Sequence, residues 1–376
     1  MVEQTQTDAN PTLTAAKDQF VDSRRKGSAG RYATELDRVL SAWLVWCEDR
    51  GATGTSDISD RLLANYAQYL GRRVSARVSD PDDDDGISGR TAHQYWGYIR
   101  SFLSYCVEWG YIDQNPAKQG HVVDELPEES LGSNDDAEQT WSPDERRALL
   151  DYVDEQARDA IDADGLDATG PVRDRAIITL LAYTGARGAE LFRDPDDDRR
   201  EGLRWLDIDF ESNRIMALGK SQDYEAVQFP EAAHSALRQH KRVQQPPDDD
   251  WPVFPTRHRP TLAQLEGDAD GDRGDQPLAD YLHEHGIEPP SITTTGVRSV
   301  LKRLCKDGEI PVEGDHEYLK PHGARRGIGK ALYKNHSHEA AQKALRHQDP
   351  ATTSEMYADI EAGEVAAIAD DVLKNE

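Results

Sequence analysis

Apolar residues recur every three to four positions along much of this chain, and this spacing predicts helices with one buried face. The clearest case is residues 32–47, whose apolar positions are Leu36, Val39, Leu40, Trp43, Leu44 and Cys47. Similar patterns predict helices at 13–25, at 89–109, and after the N-terminal caps offered by Asp57 and Ser59. We therefore expect a mainly α fold in which residues 12–117 form a compact helical domain.

A polar, acidic segment without periodicity, residues 118–140, interrupts this pattern and is predicted to be an interdomain linker. The next segment begins Ser142-Pro143-Asp144-Glu145, with a capping serine, a proline in the first turn and a glutamate three residues after the cap. Residues 141–376 should therefore form a second, mostly helical domain.

Two parts of the second domain depart from the helical pattern. Residues 214–230 contain two short strand-like runs around a polar turn, which predicts a β-hairpin with Lys220 near its tip. Residues 255–290 are rich in Asp, Gly and Pro and are predicted to be an irregular insertion.

The formal net charge of −27 leaves two interpretations open. One is an acidic protein that avoids nucleic acid, because carboxylates repel phosphates. The other is a protein adapted to a cytoplasm with molar salt, as in a halophilic archaeon or its virus or plasmid. There the Debye length falls to about 3 Å and distant carboxylates hardly repel DNA. Asp-rich runs at 80–85, 194–198 and 248–250 and a preference for Arg over Lys favour the second.

Positive charge is nevertheless concentrated in one stretch, residues 320–347, where Glu339 is the single acid. The basic residues of this stretch, called the basic island below, are Lys320, Arg325, Arg326, Lys330, Lys334, Lys343 and Arg346. A basic island in so acidic a chain predicts a surface that faces an anion.

Other sequence features exclude several classes of protein. Cys47, Cys106 and Cys305 are too few and too far apart to predict a disulfide framework or a thiolate zinc site. The longest strongly apolar run is far shorter than the roughly 20 residues of a membrane span. The N-terminus lacks the pattern of a signal peptide. We therefore expect no membrane partner and a cytoplasmic location.

Three segments carry residues suited to phosphate chemistry. Residues 181–191 (LAYTGARGAEL) place Arg187 at the start of a helical element, with Glu190 on the same face. Residues 321–327 (PHGARRG) place His322 and Arg325 three positions apart on a helix. Residues 345–360 (LRHQDPATTSEMYADI) place His347 ten residues before Tyr357. Each of these residues, taken singly, fits an ordinary structural role as well.

Together the segments resemble the tyrosine recombinase (phage integrase) family, including its Xer-like members. That family has an Arg in T-G-x-R-x-x-E-L, a Lys on a β-hairpin, an H-x-x-R motif, an L-x-H motif, and a Tyr nine or ten residues later. The matching residues here are Arg187, Lys220, His322, Arg325, His347 and Tyr357. Residues 12–117 resemble the family's SAM-like core-binding domain, and the stretch RSFLSYCVEWGYIDQNPA is typical of its end.

The resemblance implies site-specific cutting and rejoining of DNA through a 3′-phosphotyrosyl bond, with neither a metal nor another cofactor. Arg187 and Arg325 would neutralise the phosphate oxygens, where charge grows in the transition state. His347 would donate a further hydrogen bond to the same oxygens.

The remaining three residues would handle bond making and protons. Tyr357 would attack phosphorus, and His322 would accept its proton or orient it. Lys220 would protonate the departing 5′-hydroxyl as general acid.

The chain differs from the family pattern at four places. Residues 192–202 (FRDPDDDRREG) are inserted before LRWLDID resumes, which is explained by an extra surface loop. Ala324 replaces a larger apolar residue, Arg326 stands where many members have His, and Arg346 stands where Gly is common.

Double-stranded DNA, clamped between the domains, and a tetrameric synapse are the partners that the resemblance implies. Candidate phosphate or groove contacts are Arg72, Arg73, Arg77, Arg90, His93, Arg100, Arg326 and Lys330. The tail has an apolar stripe at helical spacing, formed by Val365, Ile368, Ala369, Val372 and Leu373. The stripe either packs on its own domain or docks on a neighbouring protomer.

Three alternatives to a recombinase remain at this stage. A DNA-binding regulator without catalysis is disfavoured by the complete set of six residues. A type IB topoisomerase is disfavoured by the N-terminal domain and the T-G-x-R-x-x-E-L context. A metallohydrolase built on His322, His336, His338 and His347 is disfavoured because no acidic ligands align with them.

Overall fold

The computed structural model describes the chain except for residues 1–10, 26–30, 81–82, 133–138, 220–222, 267–272, 275, 277 and 347–376. The chain divides into two compact units, Met1–Asp136 and Ala137–Glu376. Both are mainly helical, and the second contains a three-stranded antiparallel sheet. The predicted fold class is therefore confirmed.

The first unit contains the helices that the apolar periodicity predicts. They are α1 (Leu13–Arg24), α2 (Arg31–Glu48), α3 (Asp60–Ser79) and α4 (Gly89–Glu108), and they are followed by a short helix that the periodicity does not predict, α5 (Gly120–Val123). Ser59 caps α3 as expected, with its hydroxyl accepting a hydrogen bond from the Leu62 backbone N–H at 3.3 Å. The core is rich in aromatic side chains, and the ring of Trp43 packs edge-on against Tyr66 and Phe102.

Residues 118–132 belong to the first unit, contrary to the prediction of a linker over 118–140. Val122 is fully buried in the core of this unit. The Gly89 backbone N–H donates to the Leu131 carbonyl at 2.6 Å, so the segment is also tied by its backbone. One buried side chain and a few backbone bonds hold this stretch, and neither produces the periodic pattern on which the prediction relied.

The second unit contains a longer series of elements. They are α6 (Pro143–Asp164), α7 (Thr169–Thr184), α8 (Gly188–Leu191), β1 (Ile208–Asp209), β2 (Arg214–Leu218), β3 (Tyr224–Gln228), α9 (Glu231–Gln244), α10 (Arg259–Glu266), α11 (Leu278–Glu284), α12 (Thr294–Asp307), α13 (Pro321–Asn335) and α14 (His338–Leu345). The predicted capping box starts α6, because Ser142 and Glu145 exchange hydrogen bonds of 2.6 and 3.2 Å.

The sheet has the order β1-β2-β3, and its hairpin pairs Leu218 with Tyr224 at the end next to the turn. The predicted hairpin is thus confirmed, while Lys220 lies outside the described residues.

Helix α7 forms the centre of the second unit. It packs against α6, α9 and α13 and is buried along most of its length from Val172 to Thr184. A helix covered on all sides has no polar face, which explains its weak amphipathic pattern in the sequence. Its C-terminal end, at Thr184 and Gly185, is therefore held firmly.

Residues 255–290 are more regular than predicted, since α10 and α11 lie within them. These helices of 8 and 7 residues pack on each other through Leu262, Tyr281 and Leu282. Helices this short offer too few apolar positions for a clear period, so the sequence indicated loop instead.

Within the described part of the chain, no helix is both long and apolar enough to cross a membrane.

Candidate active site

The turn between α7 and α8 is fixed by its sequence, Thr184-Gly185-Ala186-Arg187. Gly185 has φ +61°, in the left-handed region that favours glycine. The Thr184 hydroxyl donates to the Leu180 carbonyl at 2.7 Å and accepts from the Ala186 backbone N–H at 3.2 Å. Helix α7 therefore ends at Thr184, and the turn that follows puts Arg187 at the start of α8.

Arg187 is paired with a buried acid. Its backbone N–H and its Nη1 donate to the two carboxylate oxygens of Glu190, each at 2.8 Å. The Glu190 side chain is 2% exposed and that of Arg187 31%, so the guanidinium reaches solvent while its partner is buried. The ion pair suggested by the sequence is thus present, and the buried Glu190 carboxylate orients the Arg187 guanidinium.

Glu190 also binds Arg346, whose Nη2 donates to Oε2, the oxygen that also accepts from the Arg187 backbone N–H. Burial pushes the pKa of Glu190 up, but the charges of Arg346 and Arg187 and the bonds from Arg187 outweigh it. The pKa of Glu190 therefore lies below its ordinary value, and the carboxylate is ionised at neutral pH.

Arg325 lies in the middle of α13 and is 3% exposed. Its Nη1 donates to the Gly185 carbonyl and its Nη2 donates to the Leu345 carbonyl. These carbonyls lie at the C-terminal ends of α7 and α14, where helix carbonyls lack partners within the helix and a cation is favoured. The position of this guanidinium is thus set by backbone carbonyls at the ends of two other helices. One of these carbonyls belongs to Gly185, which precedes Arg187 by two residues in the turn.

Helix α13 can lie this close to the rest of the unit because two glycines, Gly323 and Gly327, face Trp141. The Trp141 backbone N–H donates to the Gly323 carbonyl at 3.0 Å, and its indole Nε1 donates to the Lys320 carbonyl at 2.9 Å. A Cβ on Gly327 would lie 2.6 Å from the Trp141 carbonyl oxygen. The spacing G-x-x-x-G in PHGARRG is the sequence signal of this close packing.

Gly327→Ala is therefore expected to destabilise the second unit by about 1–2 kcal/mol, because the penalty of overpacking exceeds the gain in helix propensity. The matched control is Gly97→Ala in α4, where a Cβ would meet nothing within 4 Å. That change should stabilise the first unit by up to about 1 kcal/mol. Denaturant unfolding measures both, and a Gly327→Ala variant that is as stable as wild type, or two variants that shift stability equally, would contradict the packing explanation.

Arg346 follows α14 directly and has φ +51°, a conformation that favours glycine. Besides Glu190, its guanidinium pairs with Glu225 on β3, with Nε and Oε2 3.3 Å apart. The side chain therefore links the end of α14, the buried acid under Arg187 and the hairpin. The Arg that stands where the family commonly has Gly therefore contributes two ion pairs to this network. The sequence alone does not indicate these contacts.

The other predicted catalytic residues are placed as follows. His322 is exposed in the first turn of α13, one helical turn before Arg325. Lys220, His347 and Tyr357 lie outside the described residues. Of the six, the structure brings Arg187 and Arg325 to one helix end and puts His322 on the same helix as Arg325.

The candidate DNA contacts fall into two groups. Arg73, Arg77 and His93 bind backbone carbonyls of the first unit, those of Asp85 at 2.7 Å, Gly132 at 3.3 Å and Pro127 at 2.8 Å. These three side chains hold the loop after α3 and the segment after α5. The exposed candidates are Arg72, Arg90, Arg100 and Lys330, and Arg326 is half-buried.

Among the described residues, no cluster of three or more His, Cys, Asp or Glu side chains has a geometry that could hold a metal ion. The arrangement that is present suits an anion instead. Two guanidinium groups anchored at one helix end can neutralise a phosphate with directed hydrogen bonds.

Two family models match this chain. Residues 142–364 match the phage integrase family, and residues 17–122 match the phage integrase SAM-like domain. The first range includes all six predicted catalytic residues.

The similar curated proteins include tyrosine recombinases named XerC. That of Pediococcus pentosaceus is 24% identical over 308 residues, which cover 80% of this chain and 80% of the relative. That of Xanthomonas axonopodis pv. citri is 25% identical over 231 residues, which cover 60% of this chain and 64% of the relative.

Solved structures with a similar fold have much lower identity. The Tn1549 transposon integrase in complex with transposon right end DNA has a TM-score of 0.59 and 15% identity, and the match covers 96% of this chain and 100% of that one. XerH site-specific recombinase bound to palindromic difH substrate has a TM-score of 0.57 and 15% identity, with 95% of each chain covered. A lambda integrase dimer bound to a COC′ core site has a TM-score of 0.53 and 14% identity, with 92% of this chain and 77% of that chain covered.

The family model spans more than half of the chain, and the SAM-like model covers most of the first unit. The predicted resemblance is therefore confirmed, and the chain belongs to the phage integrase family.

Proposed function

We propose that this protein is a site-specific DNA recombinase that cuts and rejoins strands through a covalent bond between Tyr357 and a 3′-phosphate. The observation that carries the proposal is the pair of guanidinium groups, Arg187 and Arg325, fixed at one helix end. Glu190 orients the first, and the Gly185 carbonyl holds the second. Membership of the phage integrase family and the relatives named tyrosine recombinase support the same reaction.

In the proposed first step, Arg187 and Arg325 bind the non-bridging oxygens of the scissile phosphate, with a further hydrogen bond from His347. Charge on these oxygens increases as the phosphorus becomes five-coordinate, so the two cations stabilise the transition state more than the ground state. The Tyr357 hydroxyl oxygen forms a bond to phosphorus, and the bond between phosphorus and the 5′-oxygen breaks.

Two proton transfers accompany this exchange. A tyrosine hydroxyl in water has a pKa near 10, so the nucleophile must lose its proton as it attacks, and His322 is the proposed acceptor. The 5′-oxygen keeps the electron pair of the broken bond and takes a proton from the Lys220 ammonium. Rejoining reverses both transfers when a 5′-hydroxyl attacks the phosphotyrosyl bond, so the bond energy is kept throughout.

The proposal is tested by trapping the intermediate. The substrates are short random-sequence duplexes, each with one nick. When the strand is cleaved near the nick, the short fragment that carries the 5′-hydroxyl dissociates, so the phosphotyrosyl bond cannot be reversed. The protein is incubated with this library with and without a chelator, from low to molar salt, because a charge of −27 makes DNA binding depend strongly on salt. A denaturant-stable adduct should form in the presence of the chelator, and proteolysis should map the DNA to the peptide containing Tyr357. No adduct, or one on another peptide, would refute the proposal.

We also infer self-association on DNA through the tail, whose apolar stripe lies outside the described residues. The lambda integrase of similar fold is a dimer on its core site. Removing residues 362–376 should weaken cooperative binding to DNA with two copies of the selected site, and a gel-shift titration measures this. Unchanged cooperativity would contradict it. The tetrameric synapse, the cytoplasmic location and adaptation to molar salt stay predictions.

A further inference from the structure

The inserted segment, residues 192–202, forms an ordered loop that is closed at both ends. At its start the Arg193 backbone N–H donates to the Ile292 carbonyl at 3.0 Å. At its end the Leu203 backbone N–H donates to the Leu191 carbonyl at 3.1 Å. Within it, the Asp194 N–H donates to the Arg200 carbonyl at 2.9 Å. Arg200 is therefore held on a fixed piece of backbone.

The Arg200 side chain leaves this loop and binds three backbone carbonyls of two other elements. Its Nη1 donates to Ala189 in α8 at 3.0 Å and to Leu218 at the end of β2 at 2.7 Å. Its Nη2 donates to Gly219, the next residue, at 2.7 Å. The side chain is 10% exposed, so these bonds are shielded from water.

The buried charge of Arg200 has a partner within the same loop. The Asp197 side chain is 8% exposed, and its Oδ2 lies 3.4 Å from Arg200 Nε. Burial pushes the pKa of Asp197 up, but hydrogen bonds from Arg199 and the charges of Arg199 and Arg200 outweigh it and hold the pKa below its ordinary value. The carboxylate therefore stays ionised, and the guanidinium can be buried without an uncompensated charge.

Only arginine among the side chains can make this set of contacts. A guanidinium presents five N–H donors in a rigid plane, and here two of its nitrogens serve three carbonyls. A lysine ammonium is a point charge on a flexible stem, so it could reach one or two of these carbonyls without fixing their geometry. The insertion thus supplies a specific clamp, and not merely a polar surface.

The clamp joins the two parts of the site that carry proposed catalytic groups. Ala189 lies in α8, which starts at Arg187, and Gly219 immediately precedes Lys220. Consecutive Cα atoms are about 3.8 Å apart, so the bonds at Gly219 act on the residue that directly precedes Lys220 in the chain. The Gly219 backbone N–H also donates to the Asp223 carbonyl at 2.8 Å, which closes the turn from the other side.

We propose that Arg200 is a positioning residue for proton donation by Lys220: it ties the base of the hairpin turn to the helix that starts at Arg187. This inference rests on the proposed function, in which Lys220 protonates the departing 5′-oxygen. Arg200 itself touches neither DNA nor the reacting atoms in this scheme. Its loss should therefore slow the step that needs the proton, and it should affect DNA affinity much less.

The test uses two versions of the DNA site selected by the trapping experiment. One has the natural 5′-oxygen at the cleaved bond, and the other has sulfur in that position. When the bond between phosphorus and sulfur breaks, the electron pair stays on sulfur as a thiolate. A thiol has a pKa of about 8.5, so the thiolate leaves without needing a proton. A defect in proton donation should therefore disappear on the sulfur substrate, whereas a defect in phosphate binding should remain.

Single-turnover cleavage at saturating DNA is compared for wild type, Arg200→Ala and Arg200→Lys. General acids contribute roughly 10²–10⁴-fold, so misplacing one should slow cleavage of the oxygen substrate by about 10–100-fold. On the sulfur substrate the cleavage rate of Arg200→Ala should come within about threefold of the wild-type rate, because the thiolate leaves without a proton. Arg200→Lys should be intermediate on the oxygen substrate.

The matched control is Arg199→Ala, which removes the neighbouring positive charge and an Asp197 partner at 2.9 Å but leaves the three carbonyl bonds of Arg200 in place. It should cleave both substrates nearly as fast as wild type. An Arg200→Ala defect that is equal on the two substrates, or equal to that of Arg199→Ala, would overturn the inference.

Lys220→Ala separates this inference from the proposed function. If the sulfur substrate restores Lys220→Ala but not Arg200→Ala, Lys220 remains the acid and the positioning role of Arg200 is refuted. If the sulfur substrate does not restore Lys220→Ala, the assignment of Lys220 as acid is itself wrong, and the role of Arg200 falls with it.

Discussion

Tyr357→Phe is expected to abolish the covalent protein–DNA adduct and to leave DNA affinity within about threefold of wild type, a change of less than about 1 kcal/mol. Phenylalanine keeps the aromatic ring but has no oxygen that can attack phosphorus. No other group in the proposed scheme replaces a missing nucleophile, so the loss should be complete and not gradual. Denaturing electrophoresis of the nicked substrate measures the adduct, and a gel-shift titration measures affinity.

The matched control is Tyr333→Phe, which removes the hydroxyl of another tyrosine within the basic island. The Tyr333 ring lies near the end of α13 and packs edge-on against His338. This variant should form the adduct at nearly the wild-type level. An adduct that persists in Tyr357→Phe, or one that disappears in Tyr333→Phe, would show that the nucleophile has been assigned to the wrong residue.

Local sequence signals predicted those parts of the molecule that local interactions build. The starts of α3 and α6 follow from Ser59 and Ser142, because a capping hydroxyl and its partners lie within three residues of each other. The pairing of Arg187 with Glu190 is of the same kind, since the two are three residues apart on one face. The proposed catalytic residues, in contrast, could be identified only because their order along the chain resembles that of the family.

Contacts between distant residues could not be predicted in this way. Arg346 and Glu190 are 156 residues apart, and nothing in either segment indicates the other. The Arg200 bonds to Leu218 and Gly219 use backbone carbonyls, which every residue possesses and which leave no mark in a sequence. Arg73 and His93 also bind carbonyls, although the sequence made them candidates for phosphate contacts. Composition shows that a charge exists, and only the fold shows what it faces.

Arg325→Lys is expected to slow cleavage at saturating DNA by about 10²–10³-fold, the usual effect of losing one preorganised donor to a developing oxyanion. Lysine keeps the positive charge but cannot hold the carbonyls of Gly185 and Leu345 and bind phosphate bidentately at the same time. Because a buried carbonyl loses its donor, we also expect a stability loss of about 1–3 kcal/mol. The loss of stability must be separated from the loss of cleavage rate.

Arg173→Lys provides that separation. Arg173 is also a buried arginine of the second unit, 7% exposed, and it donates to the Pro255 carbonyl at 3.4 Å and pairs with Asp174 at 2.9 Å. It is the fifth residue of α7, near the opposite end of that helix from Gly185. This variant should lose stability to a similar degree and still cleave at nearly the wild-type rate once bound to DNA.

A substrate with a neutral methylphosphonate at the cleaved position makes the comparison more specific. Replacing one non-bridging oxygen by methyl removes the negative charge that Arg325 is proposed to neutralise. The penalty of Arg325→Lys should therefore shrink on this substrate, while Arg173→Lys should behave alike on both. If the penalty is the same on charged and neutral phosphates, the two carbonyl bonds are the whole role of Arg325, and the anion at this helix end must be bound by Arg187 and other groups.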